Sequence, residues 1–178
     1  MVNIPDPCNN PLCDNTNTSD FCSECSTLYQ YHGHTERFVI TGPPRAGKTT
    51  LLEDITERGD FVWDLDRVVQ AVTFHDRDTR PDWALDFVLG IRKGVINHAL
   101  EHLDIMRVFV VNGTPNTSTR AKLLDQTKGF SIVLKPKKQE VLERCNRESL
   151  VSVIEDWYES YEKQEYDYEV GEEYIWSP

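Results

Sequence analysis

One stretch of eight residues restricts the fold of this chain more than any other: residues 42–49, GPPRAGKT, fit the pattern G-x-x-x-x-G-K-[ST]. The apolar residues 37–41 before it predict a buried strand, and residues 49–57 after it carry apolar side chains at helical spacing. In such a strand–loop–helix unit, loop N–H groups surround a phosphate and the helix N-terminus faces its negative charge. The pattern therefore predicts a nucleotide-binding loop, in which Lys48 contacts the β- and γ-phosphates and Thr49 holds Mg²⁺.

The pattern does not distinguish ATP from GTP as the bound nucleotide. Contacts to it are predicted for a continuous run of residues that includes the whole loop and the first turn of the helix. These residues are Gly42, Pro43, Pro44, Arg45, Ala46, Gly47, Lys48, Thr49 and Thr50.

The net charge of the chain is −11 over 178 residues, but it is unevenly distributed. Residues 155–178 contain nine acidic residues and one lysine, so the rest of the chain is only weakly acidic. The overall charge therefore does not exclude a nucleic-acid substrate, although no broad basic surface favours one. No apolar run approaches the roughly 20 residues that span a bilayer, and the N-terminal residues MVNIPDPCNN do not resemble a signal peptide. We therefore expect a cytoplasmic protein without a membrane partner.

Four of the five cysteines lie within the first 25 residues, at the spacing C-x4-C-x8-C-x2-C. The residues between them are mostly turn formers, so this segment cannot fold by burying apolar side chains. Two disulfides would stabilise it, but an intracellular protein would keep its thiols reduced. A tetrahedral Zn²⁺ bound by four thiolates is the favoured interpretation, and the segment resembles a zinc ribbon or knuckle. The predicted ligands are Cys8, Cys13, Cys22 and Cys25. Such a module either binds a nucleic acid or protein partner or caps the neighbouring domain.

Alternating strand and helix patterns after the phosphate loop predict an α/β fold, with a parallel sheet covered by helices on both faces. Predicted strands are residues 37–41, 61–66, 107–112 and 130–134, and predicted helices include residues 67–73, 82–103, 119–128, 139–145 and 152–161. Ligands of such sheets bind beyond the carboxyl ends of the strands. This rule brings the phosphate loop, Asp64, Asp66, Asn112 and Lys135 to one edge.

The long predicted helix, residues 82–103, has an amphipathic pattern. Gly90 and Gly94 either weaken it or allow another element to approach closely. The face predicted to be buried consists of Trp83, Phe87, Val88, Ile91, Val95, Ala99 and Leu103.

The position of the acidic residues favours a kinase over a motor-type nucleotidase. The third predicted strand ends in Asn112-Gly113-Thr114, without the acid that a motor protein usually carries there. Asp64 and Asp66 come instead at the end of the second strand, where a carboxylate can accept the proton of an acceptor hydroxyl and orient it towards the γ-phosphorus. The alternative is that these two residues only cap the end of the strand.

Over residues 37–161 the chain resembles the kinase domain of phage polynucleotide kinase and its relatives, including zeta toxins and small phage P-loop kinases. The resemblance is carried by GPPRAGKTT, WDLDRVVQAV, VFVVNGTPNTSTRAKLL, KPKKQEVLERCNRES and VSVIEDWYESY. It implies that Asp66, with Asp64 as the second choice, is the general base, and that Asn112 contacts the acceptor side. It also implies that Arg144 or Arg147 contacts the transferring phosphate; the alternative for these two arginines is a solvated helix face. The family's arginine three residues after the base is Val69 here, and Arg67 is the nearby basic residue.

Three segments follow from these patterns: a zinc module at residues 1–35, a P-loop kinase domain at residues 36–161, and an acidic, aromatic tail at residues 162–178 that is either disordered or docked on the body or a protein partner. The resemblance implies transfer of the γ-phosphate of ATP or GTP, with Mg²⁺, to a hydroxyl of a nucleic acid or nucleotide. A 5′-hydroxyl and a hydroxymethyl-pyrimidine of phage DNA are both candidates, and a phage-encoded chain would act in the host cytoplasm. The alternatives are a zinc-containing nucleotide-dependent switch without kinase activity and a kinase of a sugar-nucleotide or small metabolite. The sequence does not predict the oligomeric state.

Overall fold

The computed structural model of the protein describes residues 35–76, 79–102 and 104–170. Within these residues the strands are β1 (Glu36–Thr41), β2 (Phe61–Trp63), β3 (Arg107–Asn112), β4 (Phe130–Leu134) and β5 (Asp167–Val170). The helices are α1 (Lys48–Ile55), α2 (Leu65–Thr73), α3 (Asp82–Glu101), α4 (Thr117–Thr127), α5 (Lys138–Glu143) and α6 (Val151–Ser160), with a 3-10 turn at Glu148–Leu150 before α6.

The five strands form one parallel sheet in the order β2-β3-β1-β4-β5. β1 is the central strand, and it pairs with β3 from Glu36 opposite Arg107 to Thr41 opposite Asn112. Its apolar residues Val39 and Ile40 are fully buried on opposite faces of the sheet. Because both faces are covered, the strand is a continuous apolar run, as the sequence predicted.

Helices pack on both faces of this sheet. Val39 and Val110 belong to a core that contains residues of α2, α3 and α4, whereas Ile40 and Phe109 pack with Leu52 of α1 on the other face. The predicted α/β fold class, a parallel sheet with helices on both faces, is therefore confirmed. No helix in the described ranges is long and apolar enough to cross a membrane.

The second strand is shorter than predicted. β2 ends at Trp63 instead of residue 66, and α2 begins at Leu65. Asp64 lies between them, and its carboxylate accepts hydrogen bonds from the backbone N–H groups of Asp66 and Arg67. A carboxylate at this position satisfies the open donors of a helix start, so the chain turns into α2 two residues earlier than the sequence pattern suggested.

The acidic segment after residue 161 contributes to the sheet. β5 pairs with β4 from Ser131 opposite Asp167 to Leu134 opposite Val170. Residues 167–170 of the predicted tail therefore form the edge strand next to β4, residues 162–166 lead into it, and residues 171–178 lie outside the described residues. The proposed domain boundary at residue 161 divides this sheet.

A buried ion pair holds β5 in place. Arg120 of α4 and Asp167 are both fully buried at their side chains, and their Nη2 and Oδ2 atoms are 3.0 Å apart. Arg120 also donates hydrogen bonds to the carbonyl oxygens of Pro115 and Glu162, so it connects the loop after β3 with the segment that enters β5. Tyr161 lies beside this pair, and burial together with a hydrogen bond to Glu169 raises the pKa of its phenol.

Helix α3 is oriented differently from the prediction. Val88 and Ala99 are buried, and Ile91 and Val95 pack against the same core, as expected. Trp83 and Phe87 were predicted to be buried, but they are 55% and 51% exposed. Ala84 and Ile96 are buried instead. The buried face of α3 is therefore rotated about the helix axis, away from the two aromatic residues. Leu103, also predicted to be buried, lies outside the described residues.

The predicted zinc module also lies outside the described residues, including all four of its cysteines, Cys8, Cys13, Cys22 and Cys25. Within the described ranges, no group of three or more His, Cys, Asp or Glu side chains could hold a metal ion. Cys145 is a free, half-buried thiol at the end of α5.

Candidate functional site

The phosphate loop leaves the carboxyl end of β1 and leads directly into α1. Gly42 donates its N–H to the carbonyl oxygen of Asn112, 3.3 Å away, which ties the loop to the end of β3. A Cβ atom at Gly42 would lie 2.7 Å from the carbonyl oxygen of Leu134, so only glycine fits between the two neighbouring strands. Gly47 has φ 92° and directly precedes α1, a backbone conformation that side-chain-bearing residues rarely adopt. Both glycines of the motif are therefore required by the backbone geometry.

The Lys48 ammonium lies across the loop. Its Nζ atom donates hydrogen bonds to the carbonyl oxygens of Gly42 and Pro43, at 2.8 and 2.7 Å. The positive charge is thus held where the loop and the N-terminus of α1 already favour an anion. Thr49 and Thr50 are exposed in the first turn of α1, so the Thr49 hydroxyl is accessible to a metal ion bound with a nucleotide.

A single cleft of about 1240 Å³ adjoins this loop. Its walls are the phosphate loop, the start of α2, the middle of α3, the loop after β3 and the segment from α5 to α6. The cleft brings together most of the side chains that the sequence predicted for the site, namely Pro44, Arg45, Ala46, Gly47, Lys48, Thr49, Thr50, Asp64, Asp66, Arg67, Asn112, Arg144 and Arg147. Gly42 and Pro43 are buried beneath it.

Asp64 and Asp66 both line the cleft, but they do not belong to the predicted strand at residues 61–66, because β2 ends at Trp63. Asp64 precedes α2, and its Oδ1 atom is 3.0 Å from the backbone nitrogen of Asp66. Asp66 lies in the first turn of α2 with an exposed side chain. The two residues therefore have different roles in the structure: Asp64 caps the helix, whereas Asp66 is exposed and lines the cleft.

Arg67 and Asn112, which were predicted to bind the substrate, contact protein groups. The Nη2 atom of Arg67 is 2.5 Å from Oε1 of Glu53, so this exposed pair connects α2 with α1. Val69, where the resemblance would place an arginine, is 1% exposed and belongs to the core.

The Asn112 amide is 7% exposed and holds the loop that follows β3. It donates hydrogen bonds to the hydroxyl of Thr41 and the carbonyl of Thr114, and it accepts one from the Thr114 N–H. These contacts fix the floor of the cleft next to the phosphate loop.

The segment between α5 and α6 carries the two predicted phosphate-binding arginines. Arg144 ends α5 with its Nη2 atom 3.5 Å from a carboxylate oxygen of Glu140, and Arg147 immediately precedes the 3-10 turn. Arg45 of the phosphate loop reaches this segment by donating a 2.8 Å hydrogen bond to Oδ1 of Asn146. The hydrogen bond links the loop to the arginine-bearing segment, and the sequence alone gave no indication of it.

One wall of the cleft was not predicted from the sequence. Leu85, Leu89 and Arg92 follow each other at i, i+4 and i+7 along α3 and line the cleft together. Arg92 makes no ion pair with the described residues. This spacing could have indicated the wall. It was overlooked because Trp83 and Phe87, two large apolar residues, were assigned to the buried face of the helix.

Basic side chains outnumber acidic ones in the cleft. Seven arginine and lysine residues line it against four aspartates, whereas the whole chain has a net charge of −11. The basic residues are Arg45, Lys48, Arg67, Arg80, Arg92, Arg144 and Arg147, and the acidic residues are Asp64, Asp66, Asp76 and Asp156. Such a local excess of positive charge favours anionic ligands.

No protein-family model matches the chain, and no curated protein sequence matches it. Several solved structures have a similar fold, including the following three. A chain of the Pnkp1/Rnl/Hen1 RNA repair complex has a TM-score of 0.55 and 14% identity, over 72% of this chain and 47% of that chain. A gluconokinase from Sinorhizobium meliloti 1021 has a TM-score of 0.52 and 18% identity, over 82% of this chain and 85% of that chain.

The third is a shikimate kinase from Acinetobacter baumannii, solved in complex with shikimate, with a TM-score of 0.50 and 17% identity over 82% of this chain and 88% of that chain. The chain spans less than half of the matched chain in the RNA repair complex. At identities of 14 to 18% these likenesses show the fold, which is that of small P-loop kinases.

Proposed function

We propose that this protein is a phosphotransferase that moves the γ-phosphate of ATP or GTP to a hydroxyl of an anionic acceptor, a nucleic acid or nucleotide. The observation that carries the proposal is that one cleft contains both the phosphate loop with Lys48 and the carboxylate of Asp66. A nucleotide-dependent switch needs only the first of these, whereas a kinase needs both.

In the proposed reaction the acceptor hydroxyl oxygen attacks the γ-phosphorus while the bond to the β–γ bridging oxygen breaks. Asp66 takes the proton of the hydroxyl, and the nucleoside diphosphate leaves with the electrons of the broken bond. Lys48 neutralises charge on the β- and γ-phosphates. Arg144 and Arg147 are proposed to stabilise the transferring group from the segment between α5 and α6.

Mg²⁺ fits the same arrangement because the Thr49 hydroxyl is exposed at the start of α1, directly after Lys48. When bound, the ion would neutralise part of the negative charge of the nucleotide phosphates. Asp64 is a weaker candidate for a metal contact, since its Oδ1 atom already accepts two backbone hydrogen bonds.

The charge of the cleft supports an anionic acceptor. A bound nucleotide with Mg²⁺ would be surrounded by Arg45, Lys48, Arg144 and Arg147, whereas Arg92 lies on α3 beside Leu85 and Leu89. An arginine next to apolar side chains suits a phosphate attached to a sugar or base. This combination favours a nucleotide or the end of a nucleic acid.

A small hydroxy acid is the second candidate acceptor. An arginine-lined wall also suits a carboxylate, and the fold similarity to the gluconokinase covers most of both chains. The two acceptor classes differ in size and charge, so a transfer assay separates them.

The direct test is transfer from γ-labelled ATP or GTP to a panel of acceptors: DNA and RNA with 5′-hydroxyl ends, hydroxymethylated DNA, nucleosides, sugar-nucleotides and small hydroxy acids. We expect transfer to a nucleic acid or nucleotide, and loss of at least about 100-fold in Lys48→Ala because its charge stabilises the transferring phosphate. Lys128→Ala is the matched control, since this exposed lysine at the end of α4 pairs with Asp125 away from the cleft. Nucleotide hydrolysis without transfer to any acceptor would favour the switch, and full activity of Lys48→Ala would refute the proposed donor site.

A further inference from the structure

The exposed face of α3 carries two aromatic residues followed by two glycines. Trp83 and Phe87 are 55% and 51% exposed, and their rings meet edge to face with centroids 6.0 Å apart. Gly90 and Gly94 are exposed, and a Cβ atom added to either would meet nothing within 4 Å. At 3.6 residues per turn these four residues lie within about 60° of one another around the helix axis. We call this set the aromatic–glycine stripe.

Neither glycine of the stripe is required for packing within the described residues. Glycine is unfavourable in the middle of a helix, and no neighbouring atom occupies the space above Gly90 or Gly94. Two adjacent exposed aromatic side chains are also unusual on a surface that faces only water. A notch formed by two glycines next to two protruding rings suits a second helix that packs closely.

The spacing of the stripe is symmetric about the middle of α3, between residues 88 and 89. Trp83 and Gly94 are equally distant from that point, and so are Phe87 and Gly90. If two copies of α3 pack antiparallel around a two-fold axis at that point, each large ring faces a glycine of the other copy. From this complementarity we propose that the protein forms a homodimer through the aromatic–glycine stripe, with the α3 helices antiparallel.

Charged residues beside the stripe fit the same arrangement. Asp86 and Lys93 are exposed, and both lie on one flank of the stripe, within about 20° of each other. The two-fold axis brings the same flank of both helices together. Asp86 of one copy therefore lies next to Lys93 of the other, shifted by about 3 Å along the helix axis. Two Asp–Lys pairs result in each dimer. A parallel arrangement would instead place ring against ring and Asp86 against Asp86.

The proposed dimer is independent of the kinase assignment, because Trp83, Phe87, Gly90 and Gly94 do not line the cleft. The neighbouring residues Leu85, Leu89 and Arg92 do line it, on a different side of the same helix. Dimerisation would therefore cover the outer face of α3 and leave its cleft face accessible.

The test is the oligomeric state of the full chain, measured by sedimentation equilibrium over a wide range of concentrations. We expect a monomer–dimer equilibrium for the wild type, and a monomer for Gly90→Leu/Gly94→Leu, in which the leucines fill the notch. The open space around both glycines means that the variant should fold, with an unchanged circular dichroism spectrum and a melting temperature no lower than that of the wild type. Asp54→Leu is the matched control, since Asp54 is exposed on α1, on the other face of the sheet.

A charge reversal separates direct contact from indirect effects. Asp86→Lys and Lys93→Asp should each weaken the dimer by about tenfold or more, because like charges then meet across the interface. The double variant Asp86→Lys/Lys93→Asp should recover the affinity, since both pairs are again complementary. A dimer that persists in Gly90→Leu/Gly94→Leu, or a double variant that is weaker than both single ones, would overturn the proposal.

Two further outcomes would also overturn it. One is a wild-type chain that is monomeric at every accessible concentration. The other is a monomer whose Trp83 fluorescence is quenched by single-stranded DNA, which would make the stripe a stacking surface for bases.

Discussion

Asp64 and Asp66 are only two residues apart, but they make different contacts. Asp64 accepts hydrogen bonds from two backbone N–H groups at the start of α2, and Asp66 lies in the first turn of that helix, where it lines the cleft. The proposed base must reach an acceptor hydroxyl, so its side chain cannot be committed to capping. The contacts therefore favour Asp66 for catalysis and Asp64 for stability.

Substitutions at these two positions should separate the roles. Asp66→Asn keeps the shape and removes the basicity, so we expect kcat to fall by about 100-fold or more with little change in nucleotide affinity or melting temperature. Asp64→Ala removes the cap and should lower the free energy of unfolding by about 1 kcal/mol, while Asp64→Asn keeps the cap and should lower it by less.

Transfer kinetics and thermal unfolding of the three variants check this prediction together. If Asp64→Asn impairs transfer far more than Asp66→Asn does, the proposed catalytic roles must be exchanged. If neither substitution impairs turnover, the nucleotide-dependent switch becomes the better hypothesis.

The elements of the sheet differ in how well local sequence predicts them. β1, β3 and β4 are mostly apolar runs, which a few consecutive residues suffice to predict. α1 was equally predictable, because it directly follows a glycine-containing loop with a recognisable sequence motif. β5 was not, because its first residue is an aspartate within an acidic segment. Asp167 can be buried only because Arg120 lies next to it, and that partner is 47 residues away in the chain.

The orientation of α3 and the start of α2 were also not predictable from local sequence. The apolar residues of α3 cover more than one face, so the pattern is compatible with two orientations, and packing against β1 and β3 selects the one that exposes Trp83 and Phe87. At α2 an aspartate can either end a strand or cap a helix, and periodicity does not distinguish the two. The predicted site residues were nevertheless brought together, because they follow strand ends that meet at one edge of a parallel sheet.

The buried ion pair of Arg120 and Asp167 should contribute strongly to the stability of β5 at the edge of the sheet. Arg120→Ala would leave a buried carboxylate without its partner, so we expect the free energy of unfolding to fall by about 3–5 kcal/mol. Arg120→Leu/Asp167→Leu removes both charges and should be less destabilised than Arg120→Ala. Urea unfolding measures all variants.

The exposed pair of Lys128 and Asp125 provides the control for this experiment, and Asp125→Ala should leave the unfolding midpoint unchanged. Equal unfolding midpoints for Arg120→Ala and the wild type would show that the ion pair does not anchor the C-terminal strand.

At the scale of the whole chain, the cysteine-rich N-terminus stays a prediction. Purified protein should contain about one Zn²⁺ per chain, bound by Cys8, Cys13, Cys22 and Cys25, because four thiolates complete a tetrahedral shell. Chelation should release this metal and leave nucleotide binding largely intact, since the phosphate loop is formed within residues 36–170. Elemental analysis checks the content, with Cys145→Ser as the control that should retain the metal. Metal-free protein with two disulfides would contradict this prediction.

The distribution of charge over the whole molecule leads to the last prediction. The chain is strongly acidic, so it should repel a polyanion at long range, whereas the cleft has seven basic residues against four acidic ones and should attract the end of one. Salt screens both effects, but the contacts within the cleft are the ones that determine binding. The Michaelis constant for an oligonucleotide acceptor should therefore rise with salt more steeply than that for a nucleoside acceptor, which lacks phosphate.

Arg92→Ala should raise the Michaelis constant for the oligonucleotide about tenfold and leave that for the nucleotide donor unchanged, because Arg92 belongs to the α3 wall of the cleft, which we assign to the acceptor. Steady-state kinetics with both acceptors at several salt concentrations measures this, with Lys93→Ala as the control because Lys93 does not line the cleft. If Arg92→Ala weakens the donor and spares the acceptor, the assignment of the α3 wall to the acceptor is wrong.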